Sequence, residues 1–542
     1  MNIAITYAPS EQQFIPVPPL GISVLSTVAK DNGIKADVID LELELWLKQN
    51  GKSSLFAENS VEELKNQKLP VESLYDVLCN YEILTFTVMG KRQIEYVLNI
   101  VKMLKEKNSS LKYVILGGAF FNETNSKDLL LKYKNLINFT MIGEGYASFP
   151  ALLKKLNNNE KIESSILGVC FLNKKSEFIY TPGEKWNKEL PLPDYETTNK
   201  EGYIKQQKTI YGLDDSNIIY HLLVGDRRCP FRCSFCRISE DTKAVKKPED
   251  IADEMIKLNK LYGCKYFSLI CNEMNPSLEY FHRFLDTLLS YDEKLMWFCY
   301  LRPGLLDLET LKKARKAGCV LIRYGVETGS QKILDHMNKK LYVDEIKKIM
   351  QYTHEAGIWN HINIVTGYLH ETEDDVQLTL DFIEEYKEYI DSVRINPFYL
   401  PINSPIHLNP EKYGITIRNN TGSYVEFDEP DCTFEEKQNR IKKTTSKILE
   451  KCIDSDINFA GILPFLVASA MAYFGDVKTV KKWIKEKHGY LCSPVSPDTA
   501  KWCLAHPENR DVVINSWDSI SGKRGDNYQS YLQKKNDEAD SY

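Results

Sequence analysis

Three cysteines, Cys229, Cys233 and Cys236, stand within the eight-residue stretch CPFRCSFC, and an aromatic residue, Phe235, precedes the last of them. Thiolates bind soft metals, so this crowding calls for a metal or redox role. Structural zinc wants four ligands, commonly as two Cys-x-x-Cys pairs. The next cysteines along the chain, Cys264 and Cys271, form no such pair. A dithiol redox centre would leave Cys229 without a task. An iron–sulfur cluster suits the spacing better, because thiolates are its usual ligands. Three protein thiolates on a four-iron cube leave one iron open, where a small molecule can bind through an amine and a carboxylate and receive one electron.

The elements that must position these thiols are readable around them. The chain has 542 residues, 43% apolar and 27% charged, enough for about three domains. Its net charge of −6 offers no basic face for nucleic acid. The opening MNIAITYAPS reads as a strand, not as a secretory leader. Thirteen cysteines, odd in number and scattered outside the one cluster, make no disulfide framework, so a reducing cytoplasm is expected. The longest apolar stretch, Phe459 to Gly475, contains Pro464 and falls short of the ~20 residues that span a bilayer. It reads as a buried helix, with a membrane contact as the lesser alternative, and no membrane span is expected.

Residues 1–185 alternate strand and helix: NIAITY, KADVID, EILTFTV, KYVILGG and NFTMIG are the strands, with a polar helical insertion at about 41–80. Such alternation predicts a parallel sheet covered on both faces, which binds ligands outside the carboxyl ends of its strands. Residues 186–215 are polar and proline-containing and read as a linker. A second alternation over 216–405 predicts a partial (β/α)6 barrel, whose chemistry also sits at strand carboxyl ends. Residues 406–520 read as a mainly helical C-terminal domain, and 521–542 as a disordered tail. The expected fold class is α/β: a Rossmann-like doubly wound sheet, a partial barrel and a helical region.

The spacing Cys-x-x-x-Cys-x-x-Cys, directly after the first barrel strand, resembles the radical S-adenosylmethionine (SAM) superfamily. The likeness runs over residues 215–405. FSLICNEMNPS lies where that family has its second-strand motif. GVETGS stands for the fourth-strand core Gly-x-Glu-Ser-Gly-Ser. NIVTGYLHETEDD resembles the fifth-strand block, except that Leu369 and His370 replace the Pro and Gly of Gly-x-Pro-Gly-Glu-Thr. The N-terminal domain resembles the cobalamin-binding domain of the cobalamin-dependent subfamily, through PPLGISVLSTVAKDNG, VILGGAFF and MIGEGYASFPALL. The Asp-x-His-x-x-Gly motif that gives cobalt a lower histidine is absent, as in many members. The related methylthiolating enzymes carry three cysteines in their first domain, whereas this one has only Cys79 and Cys170.

The resemblance implies roles residue by residue. Cys229, Cys233 and Cys236 would hold a 4Fe–4S cluster, and Phe235 would pack near the adenine of SAM. Glu273 would receive the methionine ammonium and Arg302 its carboxylate. Glu327 would meet the ribose or a substrate, and Gly367 would admit close backbone approach. Pro18, Leu20 and Gly21 would lie along the corrin, with Thr87, Gly117, Gly118, Gly143 and Glu144 around its nucleotide tail. Each has a plainer reading: barrel packing for Phe235, rim salt bridges for the charged residues, tight turns for the glycines. No side chain is singled out as a separate catalytic group. Cys492 and Cys503 are too few for a second cluster and read as buried free thiols.

The activity implied is C-methylation of an unactivated carbon, through a 5′-deoxyadenosyl radical and methylcobalamin. The substrate would be a small molecule or peptide, and the electron donor a protein such as flavodoxin or ferredoxin. A non-methylating rearrangement, cyclisation or ring contraction is the first alternative. A non-catalytic cobalamin or iron–sulfur sensor is the second.

Overall fold

The structure, a computed structural model, describes residues 1–9, 16–49, 71–107, 109–162, 166–183, 190–224, 229–237, 246–420, 424–459 and 463–488. The chain divides into two compact units, Met1–Leu222 and Leu223–Tyr542.

Strands Ile3–Tyr7 (β1), Asp37–Asp40 (β2), Ile83–Thr87 (β3), Tyr113–Gly117 (β4) and Phe139–Met141 (β5) pair in parallel. Their alternate residues feed two separate apolar clusters. Ala4, Leu84 and Phe86 pack with Ile94, Val97 and Val101 of helix Lys91–Glu106. Ile3, Ile5 and Ile83 pack with Ile22 and Val28 of helix Leu20–Asp31 and with Phe149 and Leu152 of helix Ser148–Asn157. A period of two thus buries both faces of β1, β3, β4 and β5, which is why they read as apolar runs, while the edge strand β2 stays partly exposed. Val169–Leu172 (β6) and Phe178–Ile179 (β7) extend the sheet antiparallel, giving the order β2-β1-β3-β4-β5-β6-β7. That antiparallel edge is absent from the sequence reading, because strands of four and two residues carry too little periodicity. The order turns between β1 and β3, so the loops behind those two strands bound the crevice where such sheets bind ligands.

The stretch 186–215 is not a bare linker in its described part. Helix Lys200–Tyr211 is capped by Asn199, whose side chain accepts from Gly202 N at 2.9 Å, and it ends at Gly212 with φ +71°. It buries Tyr203, Gln206, Gln207 and Tyr211, and Tyr203 Oη donates to Asp40 Oδ2 at 2.5 Å. Tyr and Gln carry its inward face, so an aliphatic pattern does not reveal it.

In the second unit, Ile219–Leu223 (β8; the division between units falls inside it), Tyr266–Ile270 (β9), Met296–Leu301 (β10), Cys319–Glu327 (β11), Trp359–Thr366 (β12) and Ser392–Pro397 (β13) follow one another, separated by helices. Leu400–Pro401 (β14), Thr416–Asn420 (β15) and Tyr424–Asp428 (β16) form a small antiparallel sheet in the order β14-β16-β15. Asn458–Phe459 (β17) then returns to pair with β13. The large sheet is β17-β13-β12-β11-β10-β9-β8, seven strands instead of the six expected. Its seventh comes from the region read as helical, and two residues are too few to signal a strand. That region also holds helices Phe434–Asp454, Leu463–Phe474 and Val477–His488. The apolar run folds as the twelve-residue helix Leu463–Phe474 and buries Leu466, Val467, Ala470 and Met471. Among the described residues no helix is long and apolar enough to cross a membrane. Cys492, Cys503, the tail 521–542 and most of the insertion at 41–80 lie outside the described residues.

Candidate active site

The cysteine loop follows β8 and is fastened from three sides. Ser234 N donates to Met337 O (2.9 Å), and Ser234 Oγ contacts His336 O (3.1 Å) and Tyr368 Oη (2.9 Å). Asn338 Nδ2 donates to Arg232 O at 2.6 Å, and Ile406 N to Ser234 O at 3.1 Å. Burial, aided by Glu273, Cys233 and Cys236, pushes the Cys229 thiol up to about 11, against a backbone hydrogen bond at Phe231. Cys229 therefore lies within electrostatic reach of Cys233 and Cys236. Yet among the described residues no three His, Cys, Asp or Glu side chains converge as a single ion demands. The iron charge of a bound cluster would favour the Cys229 thiolate that burial disfavours.

The other barrel candidates stand at strand carboxyl ends. Glu273 follows β9, Arg302 follows β10, Glu327 closes β11 and Gly367 follows β12. Glu273 Oε1 accepts from Arg302 N at 2.7 Å, and the Arg302 guanidinium lies 3.9 Å from the centre of the Phe231 ring in the cysteine loop. Burial pushes the Glu273 carboxyl up to about 7, against hydrogen bonds from the Arg302 and Asn275 backbone and the charges of Lys339 and Arg302. Glu327 is not an exposed rim residue. It takes φ +70° at a β-bulge and pairs with Lys339 Nζ at 2.6 Å, both side chains about a tenth exposed. Burial lowers Lys339, but the Glu327 charge, with Cys233 and the hydrogen bond, outweighs it and the ammonium is raised. Lys339 also lies 5.8 Å over the ring of Phe235, which meets Tyr368 edge-on at 6.3 Å.

The loop after β12 explains the departure at Leu369–His370. Gly367 has φ +70°, and a Cβ there would lie 2.0 Å from Ile441 Cγ1. His370, where a glycine is usual, holds the same left-handed backbone at φ +57°. Histidine tolerates that region better than most residues. Its Nε2 meets Tyr413 O at 2.9 Å and its N–H points at Glu429 Oε2 at 3.3 Å. Buried Lys437 bonds Glu429 and donates to Tyr368 O at 3.1 Å. The turn keeps its shape because side chains from the C-terminal region pin it. Ser234, Tyr368, Lys339 and Lys437 carried no individual signal in the sequence, since each matters only through contacts far along the chain.

In the first unit, the candidate residues gather at the carboxyl ends of β1, β3, β4 and β5. A Cβ on Gly21 would meet Thr87 Cγ2 at 3.9 Å, so the loops behind β1 and β3 face each other across the switch point. Gly118 has φ +111°, and a Cβ there would stand 2.4 Å from Val88 O, so only glycine fits. Gly143 has φ +96°. Pro18 is buried, whereas Gly143 and Glu144 are exposed. Gln93, which sequence reasoning passed over, donates to Ala8 O (2.6 Å) and accepts from Met89 N (2.5 Å), tying the two loops together. Backbone this bare, at a topological switch point, can take a large flat ligand and its tail. Residues 1–220 contain no histidine to serve as a lower cobalt ligand.

Residues 225–383 match the family model described as the Radical SAM superfamily. The chain therefore carries a radical SAM domain, built on the barrel and its cysteine loop. Among curated proteins it is similar to an anaerobic magnesium-protoporphyrin IX monomethyl ester cyclase of Cereibacter sphaeroides. The two are 32% identical over 45% of this chain and 40% of that protein. The chain spans about half the length of the curated relatives it matches. Among solved structures it is similar to the cobalamin-dependent SAM radical enzyme OxsB, solved with aqua-cobalamin and SAM. The TM-score is 0.57 at 15% identity, over 98% of this chain and 81% of that one. The radical SAM methyltransferase TsrM of Kitasatospora setae, solved with cobalamin and a 4Fe–4S cluster, gives 0.54 at 15% identity, over 78% and 82%. The fold of the chain is that of these enzymes.

Proposed function

We propose that this chain is a cobalamin-dependent radical SAM enzyme that methylates an unactivated carbon. The observation that carries this reading is the cysteine loop, which follows the first barrel strand and sets Cys229 within electrostatic reach of Cys233 and Cys236. When bound, the cluster and SAM supply a 5′-deoxyadenosyl radical, and cobalamin supplies the methyl group. Cys229, Cys233 and Cys236 would hold the cluster and leave one iron for SAM. Glu273, ionised above about pH 7, would take the methionine ammonium, and Arg302, braced on Phe231, the carboxylate. Phe235 would flank the adenine. The Glu327–Lys339 pair would hold the wall beside the ribose. In the first unit Pro18, Leu20 and Gly21 would line the corrin, and Thr87, Gly117, Gly118, Gly143 and Glu144 its tail. The protein's own task is to hold the cofactors and keep water from them. A flavodoxin- or ferredoxin-type donor in a reducing cytoplasm would supply the electron.

The test is anaerobic reconstitution of the full chain with iron, sulfide and cobalamin. We expect one 4Fe–4S cluster, bound cobalamin whose reduced form lacks nitrogen hyperfine structure from a lower ligand, and 5′-deoxyadenosine from SAM. Stoichiometric zinc without iron, or a folded chain that retains no cobalamin, would overturn it. The similarity to a cyclase favours a second reading, ring formation without methylation. With methyl-deuterated SAM the two part cleanly: a methylated product gains the label and a cyclised one does not.

A further inference from the structure

The concave face of the barrel carries two arginines, Arg323 and Arg394, that no described residue neutralises. Tyr300, Arg323, His361 and Ser392 stand in register across β10, β11, β12 and β13, and Arg394 stands beside Asn363. Residues in register share a face. It is not the face covered by the crossover helix Leu278–Leu289, whose Phe281 and Phe284 pack on Trp297. It is the face on which Phe298 meets Phe465 at 5.5 Å. It leads upward, two residues along β10 from Tyr300, to Arg302 and the cysteine loop.

Among the described residues neither arginine has an ion pair, and the Nε of each is buried without a hydrogen-bond partner. The Arg323 guanidinium lies 4.0 Å from the centre of the Tyr300 ring. Burial pushes Arg323 down to about 10; Tyr300 opposes this and Arg394 adds to it. His361 is wholly buried, and burial with both arginine charges holds it neutral. Its Nδ1 meets Ser392 Oγ at 2.8 Å. That oxygen also accepts from Trp359 Nε1 at 2.8 Å, and its own hydroxyl proton can go to Nδ1. In that tautomer the His361 ring proton sits on Nε2, which has no partner among the described residues. Among the described residues the two half-buried guanidiniums and His361 Nε2 thus meet no acceptor. Like charges held together repel, and the arrangement favours an anionic occupant. Guanidinium forks match oxyanions.

We propose that Arg323, Arg394 and His361 form an oxyanion-binding site in the barrel lumen that takes a carboxylate or phosphate group of the substrate. This rests on the reading of the chain as a radical SAM enzyme, and it narrows the substrate class to anions able to reach below the cysteine loop.

The test uses the full chain and two probes, acetate and inorganic phosphate, with chloride at matched ionic strength as the control. Binding is read by calorimetry and by the rise in unfolding temperature. One probe should bind saturably and chloride should not; a preference for phosphate marks a phosphorylated substrate, one for acetate a carboxylate. Arg323→Met with Arg394→Met should weaken that probe about tenfold or more. Should the double variant fail to fold, Arg323→Lys keeps the charge, loses the fork and should still weaken binding. Arg323→Met alone should unfold no earlier than the wild type without anion, because it relieves repulsion; a purely structural arginine would lower it. Failure of both probes to exceed chloride, or undiminished binding in the folded variants, overturns the site. Deoxyadenosine formation by the unaltered protein is measured alongside. Its absence with anion binding intact overturns the radical reading and leaves the site standing.

Discussion

Replacing Lys339 by methionine should be among the costliest single changes at the barrel mouth. Lys339 Nζ sits 2.6 Å from Glu327 Oε1, with about nine-tenths of each side chain covered. Glu327 cannot easily swing away. Its backbone is fixed at φ +70°, and its Oε1 and Lys339 Nζ lie 2.6 and 2.9 Å from where a Gly325 Cβ would stand. Lys339→Met keeps the packing of the stem and strands a buried carboxylate. Breaking a buried pair from one side costs about 3–5 kcal/mol, against ~0–1 for an exposed pair. Glu327→Gln with Lys339→Met removes both charges and should cost clearly less than Lys339→Met alone. Hydrogen exchange on peptides spanning β11 and β12 reads the opening free energy of this region directly. A loss within about 0.5 kcal/mol of zero for Lys339→Met would show a screened rim pair and refute the burial argument.

Gly367→Ala should destabilise the same mouth by roughly 2–5 kcal/mol. It adds left-handed strain of about 1–2 to a Cβ clash with Ile441, and urea unfolding checks it. Glu371, which accepts from Gly367 N at 2.8 Å, is pushed by burial up to about 7 from 4.5. The folded chain keeps a proton on Glu371 that the unfolded chain releases, so the contribution of Glu371 to stability should fall as pH rises from about 4.5 to about 7 and then level. Glu371→Gln should lack its share of that fall; parallel stability–pH curves for the two proteins would contradict the shift. In the first unit, Gly117→Trp should abolish cobalamin retention while the chain still cleaves SAM. A folded Gly117→Trp protein with full cobalamin would misplace that site.

Much of this was legible because burial leaves marks in the chain. The five parallel strands of the first sheet and the six opening strands of the second are apolar runs set between helical patterns, and the cysteine spacing stands out against any background. Strands β6 and β7 went unread, as did β15, β16 and β17, which fall in a region whose pattern is mainly helical. Helix Lys200–Tyr211 hid behind an inward face of Tyr and Gln. His370 read as a departure from the expected loop, and only its φ of +57° shows that it keeps the glycine's geometry. The fastening of the cysteine loop joins Ser234 to Met337, Tyr368 and Ile406, separations that no local pattern carries. Arg323 and Arg394 did leave a signal: each is a cation inside a mostly apolar strand, in CVLIRYGVE and SVRINP. A charge kept there without a partner is better explained by a ligand than by folding.

The most direct test of the whole reading is 5′-deoxyadenosine released from SAM by the reconstituted, chemically reduced chain, wild type against Cys233→Ala. The three-thiolate site predicts deoxyadenosine from the wild type and none from the variant, with cobalamin still bound by both. Equal release by a folded Cys233→Ala protein, or none from a wild type that holds its iron, would contradict it.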